Sequence, residues 1–93
     1  MSDNASVRSI TADAILDCSG LYCPQPIIRT ATRIKKMQPG QILEVRATDP
    51  GFQIDLPAWC ISHQQEFLGI ERHNVVFIGY VRLKRTDAEE SER

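Results

Sequence analysis

Proline and glycine residues divide this chain into short segments, and their positions limit the folds that it can adopt. Pro24 and Pro26 suit the first turn of a helix, where the missing amide of a proline has no helical partner to lose. Pro39-Gly40 indicates the end of that helix, and Asp49-Pro50 indicates the start of another. Strand-like and helix-like hydrophobic periods alternate between these points. The predicted order of elements is therefore β-α-β-α-β-β.

These periods also give approximate boundaries. Predicted strands cover residues 13–18, 41–48, 68–72 and 75–85, and predicted helices cover residues 24–38 and 52–67. Pro57 falls inside the second helical stripe and should kink the helix or divide it into two pieces. A tight turn is expected near His73-Asn74. The residues expected to face the core from the strands are Ala14, Leu16, Cys18, Leu43, Val45, Ala47, Val75, Phe77, Val81 and Leu83.

Two helices cover only one face of a four-stranded sheet, so we expect an α+β fold that is a two-layer α/β sandwich. Residues 13–85 would form the domain, between a flexible arm at 1–12 and a disordered acidic tail at 86–93. The uncovered face would carry Val76, Ile78 and Tyr80, which is apolar for a surface in water. Such a face could be covered by a second copy of the chain in a homodimer or by a partner protein, and the sequence does not distinguish the two.

Composition excludes several classes of function. A length of 93 residues makes one small domain, and a net charge of −1 gives no global attraction to nucleic acid or membrane. No apolar run approaches the ~20 residues that span a bilayer, and the start of the chain does not resemble a signal peptide. Three cysteines are too few for a disulfide framework. The expected location is the cytoplasm, with free thiols.

Cys23 is the strongest candidate for chemistry. It directly precedes Pro24, so it should lie at or next to the N-cap of the first helix, beside free amides and the positive end of the helix dipole. That environment favours a thiolate and lowers the pKa of a cysteine. The alternative is a buried structural thiol.

The other candidates have mainly structural interpretations. Cys18 and Cys60 lie on apolar stripes and should fill the core. The alternative for Cys18 is a resolving thiol, which would form a disulfide with Cys23 under oxidation. Gly20 should supply a positive φ or close packing in the loop. The cysteine spacing does not form a metal-binding pattern, and we expect no metal and no resident cofactor.

A basic stripe on the first helix is formed by Arg29, Arg33 and Lys36, spaced at i, i+4 and i+7. It is either a solvated helix face or a docking surface for an acidic partner. No aromatic residues are interleaved with it, so direct binding to nucleic acid is not expected.

The stretch Asp17-x-x-Gly20-x-x-Cys23-Pro24-x-Pro26 resembles the signature of the TusA (SirA-like) sulfur-carrier family. The resemblance extends over residues 14–85 and includes Pro39-Gly40, Asp49-Pro50, the Asp55-x-Pro57 step and a hairpin that ends in basic residues.

This resemblance implies a mixed sheet in the order 1-2-4-3 and a transient persulfide on Cys23, with Asp17, Gly20, Pro24 and Pro26 in supporting roles. It also implies a sulfur-donor protein of the cysteine desulfurase or rhodanese type and an acceptor of the DsrE-like type. The family's routes lead to tRNA thiolation, sulfur oxidation or cofactor assembly. Ser19 departs from the pattern, because many members carry arginine before the glycine.

Two other functions stay open at this point. One is a non-catalytic interaction or regulatory module that uses the apolar sheet face and the basic stripe. The other is a thiol redox switch that uses Cys18 and Cys23.

Overall fold

A four-stranded mixed sheet forms one layer of the protein, and two helices pack on one of its faces. The structure is a computed structural model and describes residues 10–84. Its elements, in chain order, are β1 (Ala14–Cys18), α1 (Gln25–Ile34), β2 (Ile42–Ala47), α2 (Phe52–Ser62), β3 (Glu66–His73) and β4 (Val76–Arg82). The predicted βαβαββ order and the two-layer fold class are confirmed. The predicted tail at 86–93 and most of the predicted arm at 1–12 lie outside the described residues.

The strand order is β1-β2-β4-β3, as the resemblance implied. β1 and β2 are parallel, with Leu16 opposite Val45, and α1 connects them. β4 pairs antiparallel with β2 on one side and with β3 on the other. Because β1 and β2 are parallel, the segments that follow them leave the sheet at the same edge. The loop that contains Cys23 and the segment that starts α2 therefore meet at that edge.

The core lies between the sheet and the two helices. The predicted alternation in β2 is confirmed, since Leu43, Val45 and Ala47 are each 0 % exposed. Apolar side chains from the other elements complete the core: Cys18, Ile34, Met37, Phe52, Leu56, Trp59, Cys60, Phe77, Val81 and Leu83. Full burial of a large apolar side chain stabilises the fold by roughly 1.5–3 kcal/mol, so this cluster is the main source of stability.

α2 is one continuous helix with Pro57 inside it, so the predicted division into two pieces is wrong. Its N-cap is Gly51, two residues after the Asp49 that the sequence suggested. A proline inside a helix costs about 3 kcal/mol. Phe52 and Leu56 precede Pro57 and Cys60 follows it, and all three are buried in the core. Burial on both sides of the proline offsets its cost and keeps the helix whole.

Several predicted boundaries shift. α1 ends at Ile34 instead of residue 38, β3 begins at Glu66, and β4 ends at Arg82. The β3–β4 turn consists of two residues, Asn74 and Val75, and Asn74 has a φ of 60°. Asparagine tolerates this left-handed conformation, which two-residue hairpin turns require. Val75 is 67 % exposed in the turn, so its predicted place in the core is wrong.

The uncovered sheet face is less apolar than the sequence suggested. Ile78 and Val76 are half-buried there, and Tyr80 is only 8 % exposed. Charged pairs are interleaved with these side chains: Arg46 with Glu44 at 2.7 Å, and Arg82 with Glu66 at 2.9 Å.

Candidate functional site

The loop after β1 is held by three hydrogen bonds that fix the approach to Cys23. The Asp17 carboxylate accepts the Ser19 N–H at 3.0 Å, and hydrogen bonds from the Ser19 hydroxyl and amide lower the pKa of Asp17. Gly20 has a φ of +84°, which confirms the predicted positive φ. Its N–H donates to Thr48 Oγ1 at 2.9 Å, and the Leu21 N–H donates to the Cys18 carbonyl at 3.1 Å. The loop is therefore tied both to the end of β1 and to the residue after β2.

The first turn of α1 offers Cys23 fewer free amides than the sequence suggested. Pro24 occupies the N-cap instead of the first helical position, and the peptide bond between Cys23 and Pro24 is cis. Pro24 and Pro26 have no N–H, and the Gln25 N–H donates to the Tyr22 carbonyl at 2.8 Å. The next amide along the chain donates to the Pro24 carbonyl at 3.1 Å. The free amides that the sequence predicted beside the Cys23 sulfur are therefore not present in the first turn of α1.

The Cys23 thiol instead contacts a carboxylate from α2. Cys23 is exposed, and its Sγ donates a hydrogen bond to Asp55 Oδ2 at 2.9 Å. The Cys23 N–H donates to Asp49 Oδ2 at 3.3 Å. The hydrogen bond to Asp55 raises the pKa of Cys23, and partial desolvation and the charges of Asp55 and Asp49 raise it further. The predicted lowering of this pKa is therefore wrong, because the neighbours of the thiol are anionic.

Gly51 lies between the two carboxylates. A Cβ at this position would lie 3.2 Å from Asp49 Oδ2 and 3.7 Å from Asp55 Oδ2. The missing side chain leaves room for both carboxylates beside Cys23. Sequence reasoning did not assign Asp55 a role at the thiol. The available signal was the parallel β1–β2 pair, which brings the segments after the two strands to one edge.

Comparison with known proteins assigns the chain to a family. A family model described as Sulfurtransferase TusA matches residues 14–83. The chain belongs to the TusA family. It is 32 % identical over 78 residues to a sulfur carrier protein TusA of Pseudomonas syringae pv. tomato, covering 84 % of this chain and 93 % of that one. A putative sulfur carrier protein YrkF of Bacillus subtilis is 41 % identical over 71 residues, which is 76 % of this chain and 38 % of YrkF.

Other relatives differ more in length or sequence. A putative sulfur carrier protein of Aquifex aeolicus is 36 % identical, over 90 % of this chain and 42 % of its own. This TusA-family chain therefore spans about two fifths of the length of the Bacillus and Aquifex relatives. The crystal structure of a SirA-like protein from Desulfitobacterium hafniense has the same fold, with a TM-score of 0.68 and 18 % identity. That match covers 77 % of this chain and 99 % of the other.

The remaining thiols of this TusA-family chain lie in the core, as predicted. Cys18 and Cys60 are both 0 % exposed. Burial raises the pKa of Cys18, and it raises the pKa of Cys60 to about 12. Between residues 10 and 84, no three His, Cys, Asp or Glu side chains are grouped so as to hold a metal ion. No helix in the same range is both long and apolar enough to cross a membrane.

The basic stripe lines one side of an open groove along α1. The groove has a volume of about 350 Å³, and Leu16 and Ile28 supply its apolar surface. Arg29, Arg33 and Lys36 all line it, so the structure brings the three predicted docking residues together. Ile28 is 51 % exposed, which leaves an apolar contact available beside the cations.

Proposed function

We propose that this chain is a sulfur carrier, which accepts a sulfane sulfur as a persulfide on Cys23 and passes it to a partner protein. The observation that carries the proposal is the contrast among its thiols, because Cys23 is exposed whereas Cys18 and Cys60 are buried. Membership of the TusA family and the loop that presents Cys23 support the same role. The chain would act as a sulfurtransferase only in a relay, since both the source and the destination of the sulfur are other proteins.

The proposed transfer is a displacement at sulfur. The Cys23 thiolate attacks the outer sulfur of a donor persulfide, so a new S–S bond forms on Cys23 and the S–S bond of the donor breaks. The electron pair of the broken bond stays on the donor cysteine, which leaves as a thiolate and takes up a proton. The reverse roles apply when a thiolate of the acceptor attacks the outer sulfur on Cys23. No external oxidant or reductant is needed, and the persulfide on Cys23 is an intermediate.

Intact-protein mass spectrometry tests this proposal. The protein is incubated with a small-molecule persulfide, and we expect a gain of one sulfur atom that a reductant reverses. Cys23→Ser should not gain sulfur. Cys60→Ala is the matched control that removes a buried thiol, and it should load like the wild type once circular dichroism shows that it folds. Loading that persists in Cys23→Ser would refute the proposal.

The groove along α1 is the proposed docking surface for the partners. Its cations suit an acidic surface, and the family resemblance implies a donor of the cysteine desulfurase or rhodanese type and a DsrE-like acceptor. Arg33→Glu should slow loading from a cysteine desulfurase but leave loading from a small-molecule persulfide unchanged. Lys84→Glu, at an exposed residue after β4, is the charge-matched control. Equal loss in both assays would place the effect of Arg33 at the thiol and not at docking. Delivery to tRNA thiolation, sulfur oxidation or cofactor assembly would depend on the acceptor.

The same groove also supports a second candidate function, a non-catalytic interaction module. Under that function, binding of a partner would not change in Cys23→Ser. A partner complex that forms only with an intact Cys23 would contradict it. The redox switch stays a prediction, and the structure has Cys18 and Cys23 as free thiols, with Cys18 buried in the core and Cys23 at the surface.

A further inference from the structure

The surroundings of Cys23 are acidic, although a sulfur carrier must at some point react as a thiolate. Cys23 Sγ donates a hydrogen bond to Asp55 Oδ2 at 2.9 Å, and the Cys23 backbone N–H donates one to Asp49 Oδ2 at 3.3 Å. Within residues 10–84, no lysine, arginine or histidine forms an ion pair with either carboxylate. Two titratable groups act on the thiol, and both are carboxylates: Asp55 in the first turn of α2 and Asp49 in the segment before it.

Asp55 is placed to hold the thiol in its protonated form, because its carboxylate accepts the hydrogen bond from Cys23 Sγ. An ionised carboxylate that accepts a hydrogen bond from S–H stabilises the protonated form. Loss of that proton would leave two anions facing each other. The pair is therefore stable only while the thiol keeps its proton or while a cation neutralises Asp55.

We propose that Asp55 is a positioning residue that keeps Cys23 mostly protonated and therefore slow to react in the isolated chain, and that a cationic side chain of the sulfur donor pairs with Asp55 on docking and releases the thiolate. This inference rests on the proposed function and names the control of the same site. On docking, the thiol proton passes to water, and the Asp55 carboxylate exchanges its hydrogen bond from sulfur for an ion pair. The thiolate then attacks the outer sulfur of the donor persulfide, as in the displacement described above.

The first test measures the reactivity of the thiol itself. Alkylation of native protein by iodoacetamide is followed by mass spectrometry across a pH series, with Cys23→Ser as the blank. Asp55→Asn keeps the shape of the side chain but removes its charge, so we expect a lower thiol pKa and faster alkylation at neutral pH. For each unit by which the pKa falls, the thiolate fraction rises about tenfold and its intrinsic nucleophilicity falls about threefold, which leaves a net gain of about threefold.

Matched variants separate the hydrogen bond from a general effect of charge. Asp49→Asn removes a charge but no contact with sulfur, so its shift should have the same sign and be smaller. Asp13→Asn is the control, because Asp13 precedes β1 at the opposite end of the strand and its amide oxygen can still accept the Ile42 N–H. It should leave the profile unchanged. Slower or unchanged alkylation in Asp55→Asn would overturn the proposal, and slower alkylation would make Asp55 a general base. If Asp55→Asn does not fold, Asp55→Ser takes its place, with faster alkylation expected and slower or unchanged alkylation again overturning the proposal.

The second test asks whether a cation at Asp55 favours the reaction. A trimethylammonium-bearing methanethiosulfonate and a sulfonate-bearing one both transfer a thioalkyl group to the thiolate and release methanesulfinate. Their rates are each normalised to those of free cysteine. A unit charge about 4 Å away in water changes a rate roughly fivefold, so the wild type should favour the cationic reagent and Asp55→Asn should lose several-fold of that preference. Equal preferences in both proteins would overturn the role of the cation.

These outcomes are separable from failure of the proposed function, since neither test needs a persulfide. A shifted alkylation profile together with no sulfur loading would leave the role of Asp55 intact and refute the carrier function. Normal sulfur loading with an unshifted alkylation profile would refute the role of Asp55 and leave the carrier function intact.

Discussion

Gly79 lies in the middle of β4 beneath α2, and an alanine there should destabilise the fold by overpacking. A Cβ at Gly79 would lie 2.5 Å from Leu56 Cδ2, 3.3 Å from Phe52 Cζ and 3.4 Å from Ile70 Cγ1. Ordinary carbon contacts are about 3.5–4.0 Å, so Leu56 would have to move by about 1 Å. Leu56 and Phe52 are 0 % and 1 % exposed, which leaves the displaced side chain no open space. Overpacking of this kind costs about 1–3 kcal/mol.

Part of that cost is offset, because alanine is better than glycine inside a strand by about 0.5–1 kcal/mol. The 2.5 Å approach to Leu56 Cδ2 puts the clash in the upper part of the overpacking range, about 2–3 kcal/mol, so Gly79→Ala should lower the free energy of unfolding by about 1–2.5 kcal/mol. For a domain of this size, the melting temperature should fall by about 4–8 °C per kcal/mol. Urea unfolding followed through the fluorescence of Trp59, the single tryptophan, measures the change. A Gly79→Ala protein as stable as the wild type would refute the steric reasoning.

A double-mutant cycle with Leu56→Ala identifies the clash as the cause. Leu56→Ala alone should cost about 2–5 kcal/mol, and it also removes the atom that a Cβ at Gly79 meets most closely. In that background Gly79→Ala should cost nothing or stabilise, giving a coupling energy of about 1–2.5 kcal/mol. Gly40→Ala is the control, since a Cβ there meets nothing within 4 Å and only the φ of +93° opposes it. Equal costs of Gly79→Ala in the two backgrounds would contradict the contact as the source.

Three further predictions concern single groups. Thr30 is 0 % exposed and its hydroxyl donates to the Pro26 carbonyl at 2.8 Å, so Thr30→Val should cost about 0.5–1.5 kcal/mol in urea unfolding. Because the pKa of Cys60 is raised from 9.0 to about 12, its thiol favours the folded state below pH 9 and loses that contribution as the pH rises toward 12. The free energy of unfolding should then fall less steeply above pH 9 in Cys60→Ala than in the wild type, and identical slopes would contradict this. Asn74 has a φ of 60°, so Asn74→Val should lower the melting temperature, whereas Asn74→Gly should not.

The fold was predictable from the sequence because its signals are local. The alternation of Leu43, Val45 and Ala47 specifies a half-buried strand by itself, and Pro39-Gly40 separates that strand from the preceding helix, although α1 already ends at Ile34. Division of the helix was one of two outcomes predicted at Pro57, and it does not occur because tertiary burial of Leu56 and Cys60 outweighs the local cost of the proline. Helix propensity disfavours a continuous helix at Pro57, whereas burial of the neighbouring side chains favours it. Only the packed structure shows that the free energy of burial is the larger of the two.

In the candidate site, too, the features set by neighbouring residues were predictable and those set by distant residues were not. Cys23 was located from the proline that follows it, and the structure has it exposed before α1. Its electrostatic environment was mispredicted, because that environment comes from Asp55, which is 32 residues away in sequence. Gly51 shows why spacing alone could not reveal the contact. The Asp55 carboxylate has room beside Cys23 because Gly51, a third residue, has no side chain.

The two prolines after Cys23 act on the position of the thiol and not on its charge. A helix start attracts an anion through its unpaired amides, yet Pro24 and Pro26 contribute none and the Gln25 N–H is already bonded to Tyr22. What remains is a rigid turn that presents the sulfur at the surface within reach of Asp55. A thiol so placed is not activated by Asp55 or by free helix amides, which is why the proposal assigns its activation to a cationic group of the sulfur donor. Under the proposed function this arrangement would benefit a carrier, because a thiol that ionises mainly beside its donor would react slowly with other electrophiles before it reaches that donor.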